Sequence, residues 1–142
     1  MARGTLKCFI NKEIKMVKKE CCADPEKATL VFACAGASNV GQTTNEAAKQ
    51  LEMGGVGRYF CLAGIGGKIS GMIESTKAAG KIIALDGCNV ACAQKTLENE
   101  GLKPTVYLQV TELGIKKEHV FTLPPNGVKK TVESVKKSLS RQ

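Results

Sequence analysis

Long apolar runs are missing from this chain of 142 residues: the longest, over 28–37, is already interrupted by Thr29 and Gly36. A bilayer span needs ~18 to 20 consecutive apolar residues, so no membrane partner is expected. Positions 1–19 carry lysines throughout and lack the apolar core and small-residue cleavage site of a secretory signal. That lack points to a cytoplasmic location. Histidine is scarce too, with His119 the single one, far in sequence from every other candidate ligand and therefore expected to be neither ligand nor base. Aromatic residues number only four Phe and two Tyr. With so few rings to stack bases and lysines scattered over many segments, the net charge of +8 describes solvated helix faces rather than a nucleic-acid surface.

What the chain has in quantity is cysteine. Seven occur, an odd number, and nothing marks the protein as secreted, so metal or thiol chemistry is expected in place of a disulfide framework. Apolar residues at 43% and charged residues at 24% are those of a globular protein, and the length suits one ordinary domain with its own core.

Three short apolar runs, 29–34, 58–63 and 81–86, each end in a turn containing Gly or Cys and lead into a helix-like segment. The segment 39–53, capped by Ser38 or Asn39, puts Ala47, Ala48 and Leu51 on one face. The segment 66–79 spaces Ile69, Met72 and Ile73 helically and stops at Gly80, and 89–100 presents Val90, Ala93 and Leu97 before Gly101. A fourth strand is expected over 105–110 and a short edge strand over 119–123. Beyond Pro124 and Pro125, the segment 127–140 aligns Val128, Val132, Val135 and Leu139 for docking, with Lys129, Lys130, Lys136 and Lys137 facing water. Strand and helix thus alternate every ~25 residues, the signature of right-handed βαβ units. The expected fold is α/β: a three-layer α/β/α sandwich whose doubly wound, mainly parallel sheet has four to five strands, occupying 28–142 behind an N-terminal arm over 1–27. Within the arm, 10–17 reads as a short helix or strand and Asp24-Pro25 as a turn.

Cys34, Cys61 and Cys88 each fall at the C-terminal end of an expected parallel strand. Such ends line one edge of a doubly wound sheet, beside the helix N-termini where these folds hold ligands. Strands ~4.8 Å apart can bring their thiols to the ~3.8 Å separation that Zn–S bonds of ~2.3 Å require. Cys92, four residues after Cys88 at an expected helix start, would share a face with it and supply a fourth ligand. The positive ends of several helices would offset the thiolate charge. Spacing alone leaves another reading open, in which small buried cysteines merely pack at strand ends.

The segments Phe32-Ala33-Cys34-Ala35-Gly36-Ala37-Ser38-Asn39-Val40-Gly41-Gln42, Cys61-Leu62-Ala63-Gly64-Ile65-Gly66 and Asp86-Gly87-Cys88-Asn89-Val90-Ala91-Cys92-Ala93 resemble the DGC-domain proteins. That family is described as zinc-binding and is named for the tripeptide standing here at 86–88. The resemblance covers ~30–115, three motifs in order, and implies that Cys34, Cys61, Cys88 and Cys92 ligate zinc; it implies no reaction. Four thiolates suit an iron–sulfur cluster nearly as well, so the metal stays open. Cys8, Cys21 and Cys22 precede the resembling part and read as free thiols of a variable arm, the alternatives for Cys21-Cys22 being a second metal site or a redox pair.

Between Gly36 and Thr43 lies the skeleton of a phosphate-binding loop, two glycines five apart followed by a hydroxyl, with Gln42 where the lysine belongs. Tight triphosphate binding is not expected, though amides at a helix start could hold a small anion. Otherwise Gly36 and Gly41 shape a sharp turn, while Ser38 and Asn39 cap the helix or bond the sulfurs. Gly64-Ile65-Gly66-Gly67 falls short of a dinucleotide fingerprint and reads as a turn. Asp86 is expected to accept backbone amides, with a supporting role at the metal or an acid–base role as the alternatives. The leading expectation is a zinc-binding protein. The alternatives are a thiol redox or sulfur-handling enzyme using Cys88 as nucleophile and Cys92 as its resolving partner, and a small anion- or phosphate-binding protein.

Overall fold

The computed structural model describes residues 28–141. The arm over 1–27, with Cys8, Cys21, Cys22, the 10–17 element and the Asp24-Pro25 turn, lies outside the described residues. Four parallel strands, β1 (Thr29–Ala33), β2 (Arg58–Tyr59), β3 (Lys81–Asp86) and β4 (Val106–Gln109), form one sheet in the order β2-β1-β3-β4. Five helices connect or follow them: α1 (Asn39–Met53), α2 (Leu62–Gly66), α3 (Ser70–Lys77), α4 (Cys92–Asn99) and α5 (Gly127–Leu139).

The central strands are apolar from Leu30 to Ala33 and from Ile82 to Leu85 because both of their faces are covered there. Leu30 and Phe32 of β1 join Ile82 and Ala84 of β3 in one core with Ile65, Ile73 and Leu97 from α2, α3 and α4. Val31 and Ala33 join Ile83 and Leu85 in the other, under Ala47, Ala48 and Leu51 of α1 and Val135 of α5. The two-residue alternation of strand side chains therefore builds the three-layer sandwich directly. Phe32 is fully buried and meets Phe60 edge-to-face, ring centres 5.8 Å apart and planes at 83°. As expected, Val128, Val132 and Leu139 pack beside Val135, with the four lysines of α5 exposed. No helix among the described residues is long and apolar enough to cross a membrane.

Several local expectations need correction. The run over 58–63 pairs as a strand for two residues only, because Cys61 already caps α2. The helix expected over 66–79 is α3 and begins only at Ser70, since Gly66 ends α2 and Lys68, with a φ of 57°, is left-handed. Ile69, expected on the apolar face, precedes α3 and is 54% exposed. The helix expected from 89 starts at Cys92, leaving Val90 51% exposed in the preceding turn. The expected strand over 119–123 is absent: β4 pairs with β3 alone, and those residues are largely exposed, Phe121 at 71%.

Candidate functional site

The strand order reverses between β1 and β3, and the crevice beyond the carboxyl ends of those two strands is where open α/β sheets bind ligands. Cys34 follows β1 directly, and its amide donates to the Leu85 carbonyl at 3.0 Å, prolonging the ladder so that this thiol stands beside the end of β3. Cys61 caps α2 past the end of β2, Cys88 sits two residues beyond β3, and Cys92 opens α4. All four expected ligand positions thus lie along one edge. Cys34 and Cys88 are half-buried, Cys88 packing against the small core cluster of Val40, Val110 and Ile115, whereas Cys61 and Cys92 are exposed.

The Cys34 sulfur accepts the Gly87 amide at 3.3 Å and stands 3.5 Å from the Thr44 hydroxyl. Thr44 already gives its proton to the Gly41 carbonyl at 2.7 Å, so in a neutral pair the thiol is the donor across that contact. Lys117 reaches the Cys88 sulfur at 3.3 Å. Asn39 fixes that lysine's segment to the start of α1: its side chain donates to the Lys116 carbonyl at 3.0 Å and accepts the Glu118 amide at 2.8 Å.

Burial pushes the Cys92 thiol up, and repulsion from Cys34, Asp86 and Cys88 adds to it. The Tyr59 phenol is likewise raised by burial, then by Cys61 and Cys34. One electrostatic neighbourhood therefore joins all four sulfurs. The donor set, thiols without a histidine, suits a thiophilic ion. In the side-chain positions adopted here, however, no group of three or more His, Cys, Asp or Glu among the described residues is arranged to hold a metal ion. The helical pairing expected of Cys88 and Cys92 also does not form, since Cys88 precedes α4 and only Cys92 belongs to it.

The DGC domain pattern matches residues 30–135, most of the chain. The chain belongs to the DGC domain family. Over 90 residues, 63% of this chain and 69% of the relative, it is 36% identical to the Anaerobic and virulence modulator AnvM of Pseudomonas aeruginosa. No solved structure matches.

Each residue of the tripeptide that names the DGC family does separate work here. Asp86, 1% exposed, accepts the Ala93 amide at 2.8 Å and the Gln94 amide at 3.0 Å, so it caps α4 from the end of β3. Burial raises its pKa against the pull of those two amides and the Cys34 thiol. Gly87 lies against α1 so closely that a Cβ would fall 2.8 Å from the Gly41 nitrogen and 2.9 Å from the Val40 carbonyl carbon. Gly41 is held against Gly36 in the same way, 2.5 Å from its oxygen. Three backbones meet there, and only residues without a side chain permit the approach. Cys88 then carries the thiol.

Gln42, at the lysine position of a phosphate loop, folds back and donates to the Ala35 and Gly36 carbonyls at 3.3 and 3.0 Å. The amides of residues 38–42 are all engaged within the protein: Ser38 by Gly36, Asn39 by Glu118, Val40 by the Asn39 side chain, Gly41 by the Ser38 hydroxyl, and Gln42 by the Ser38 carbonyl. In this DGC domain Gly36, Ser38, Asn39, Gly41 and Gln42 thus build and lock the loop beside Cys34. His119 is exposed. Sequence reasoning missed Thr44, Lys117, Tyr59 and the Gly87 amide as neighbours of the sulfurs. Thr44 had a signal in the Thr43-Thr44 pair, whose first member instead back-bonds to the Asn39 carbonyl at 2.8 Å. Lys117, 29 positions beyond Cys88, had none.

Proposed function

We propose that this DGC domain binds one thiophilic metal ion, zinc in the first instance, through Cys34, Cys61, Cys88 and Cys92. The observation that carries the reading is the gathering of four partly or fully exposed thiols at the carboxyl edge of the sheet, two of them flanking the strand-order reversal. Coordination requires the exposed Cys61 and Cys92 to turn toward Cys34 and Cys88, a rotamer change for which exposed side chains face little steric resistance. A cation would also offset the burial, and the repulsion from Cys34, Asp86 and Cys88 that adds to it, which together raise the Cys92 thiol. Four thiolates fill a tetrahedron, which favours a structural or ligand-holding ion over an open catalytic one.

Metal analysis of the freshly purified full-length chain tests this. About one zinc per chain is expected, lost from single Cys→Ser variants at these four positions that keep their circular dichroism. A folded parent without bound metal, or retention of metal when all four are replaced, defeats the reading. Visible absorbance of anaerobically prepared protein would instead identify an iron–sulfur cluster.

A second reading has one observation in its favour. The ammonium of Lys117 beside Cys88 would stabilise a thiolate, as a nucleophile resolved by Cys92 requires. Metal-free protein with one fast-alkylating thiol at Cys88, slowed in Lys117→Met, supports that reading; thiols that react only after chelation support the metal.

A further inference from the structure

A cleft of about 580 Å³ opens between the ends of β1 and β2, α2 and α4. That volume lies within the usual range of small-molecule sites. None of its lining residues is Asp, Glu, Lys or Arg, in a chain where 24% of residues are. Phe60 and Leu62 supply apolar wall, with the Phe60 ring held by its edge-to-face contact on Phe32. Gly66 and Thr96 stand side by side on the cleft wall: a Cβ at Gly66 would rest on the Thr96 methyl at 3.6 Å, an ordinary contact. Gly64, two residues earlier, packs instead against Met72. The glycines that resemble a fragment of a dinucleotide motif thus sit differently, Gly64 against Met72 and Gly66 on the cleft wall beside Thr96.

The hydroxyls at the cleft are already committed. Tyr59 donates to the Asn45 side chain at 2.9 Å and Thr96 to the Cys92 carbonyl at 2.7 Å. A charged ligand would lose its hydration here without a compensating partner.

We infer that this cleft binds an uncharged small molecule with a flat, mainly apolar body, seated on Phe60 and Leu62 between α2 and α4, with one end beside Cys34 and Cys61. The inference goes beyond metal binding, because the apolar walls come from the sheet and helices and do not depend on an ion.

The test titrates indole, and indole-3-acetate as its charged counterpart, into isotope-labelled full-length protein followed by amide NMR, before and after chelation. Saturable indole shifts at the amides of Phe60, Leu62 and Thr96 are expected in both states, with no saturation by the acetate. Gly66→Leu and Thr96→Leu, which fill the cleft from α2 and from α4, should each weaken indole binding by about tenfold or more while spectra stay dispersed. Equal response to both compounds, unsaturable indole shifts, or unchanged affinity in a folded filled variant would overturn the inference. Should either variant unfold, the comparison of the two compounds on the parent decides. Metal content measured on the same samples separates this outcome from that of the thiol site.

Discussion

Gly36, Gly41 and Gly87 look interchangeable as loop glycines, but the contact between the β1 and β3 loops makes them unequal. An added Cβ would stand 2.5 Å from backbone at Gly41 and 2.8 Å at Gly87, whereas at Gly36 it meets nothing within 4 Å. The atoms opposed are backbone, unable to swing away: at Gly87 the β3 loop must part from the start of α1, lengthening the Gly87 amide to Cys34 sulfur bond, and at Gly41 the turn must open at Gly36. Overpacking of this kind costs about 1–3 kcal/mol. For a chain of this length that lowers Tm by roughly 3–12 °C. Gly36→Ala should stay within about 0.5 kcal/mol of the parent, since Gly36 has no left-handed φ to lose. Urea denaturation followed by far-ultraviolet circular dichroism, comparing midpoints at constant slope, measures all three. Because the Gly87 Cβ would meet the backbone of Gly41 itself, which a Gly41 substitution already displaces, the double variant should lose less than the two single losses added together. Equal damage at Gly36, or full additivity of the other two, would refute the three-backbone contact.

Asp86→Ala should destabilise the domain by about 1–2 kcal/mol through loss of the α4 cap, Asp86→Asn by less, with hydrogen exchange accelerated first at Ala93 and Gln94; identical effects of the two variants would dismiss the capping role. Ala35 and Ala91, each next to a candidate ligand, have φ of 46° and 55°, and relief of left-handed strain of about 1–2 kcal/mol against glycine's extra chain entropy of about 0.5–1 makes Ala35→Gly and Ala91→Gly mildly stabilising by chemical denaturation. Burial, reinforced by Asp86 and Glu112, pushes the Tyr107 phenol up to about 12, so ultraviolet titration should show tyrosinate late, with an ordinary midpoint near 10 contradicting this. Between those values the unfolded chain releases the proton that the folded chain keeps, so Tyr107 makes stability fall as pH rises from 10 towards 12, and Tyr107→Phe should flatten that slope.

The sheet was legible because burial on both faces leaves an unbroken apolar run that few other structures require, as in Leu30 to Ala33 and Ile82 to Leu85. Element starts were less legible where the determinant lies elsewhere in the chain. Helix α4 begins at Cys92 because Asp86, on the preceding strand, caps amides 93 and 94, and no pattern within 89–100 encodes that. The late start of α3 was hidden because Ile69, Met72 and Ile73 keep helical spacing although Ile69 stands before the helix, just after a left-handed Lys68. A strand over 119–123 failed for another reason: β-branched composition gives no strand without a ladder partner. At the site, the four cysteines could be put on one edge by topology alone. The groups that touch them, Lys117 and Thr44, depend on loop paths and helix phase that spacing does not reveal.

The four sulfurs come from three separate strand ends, 27 residues apart from Cys34 to Cys61 and again from Cys61 to Cys88. During vectorial synthesis the nascent polypeptide cannot bring all four together until β3 has slotted in beside β1 and α4 has begun, while α5, which completes one apolar face, is made later still. A link joining all four would therefore report that the ends of β1, β2 and β3 had been brought together, with α5 still left to dock.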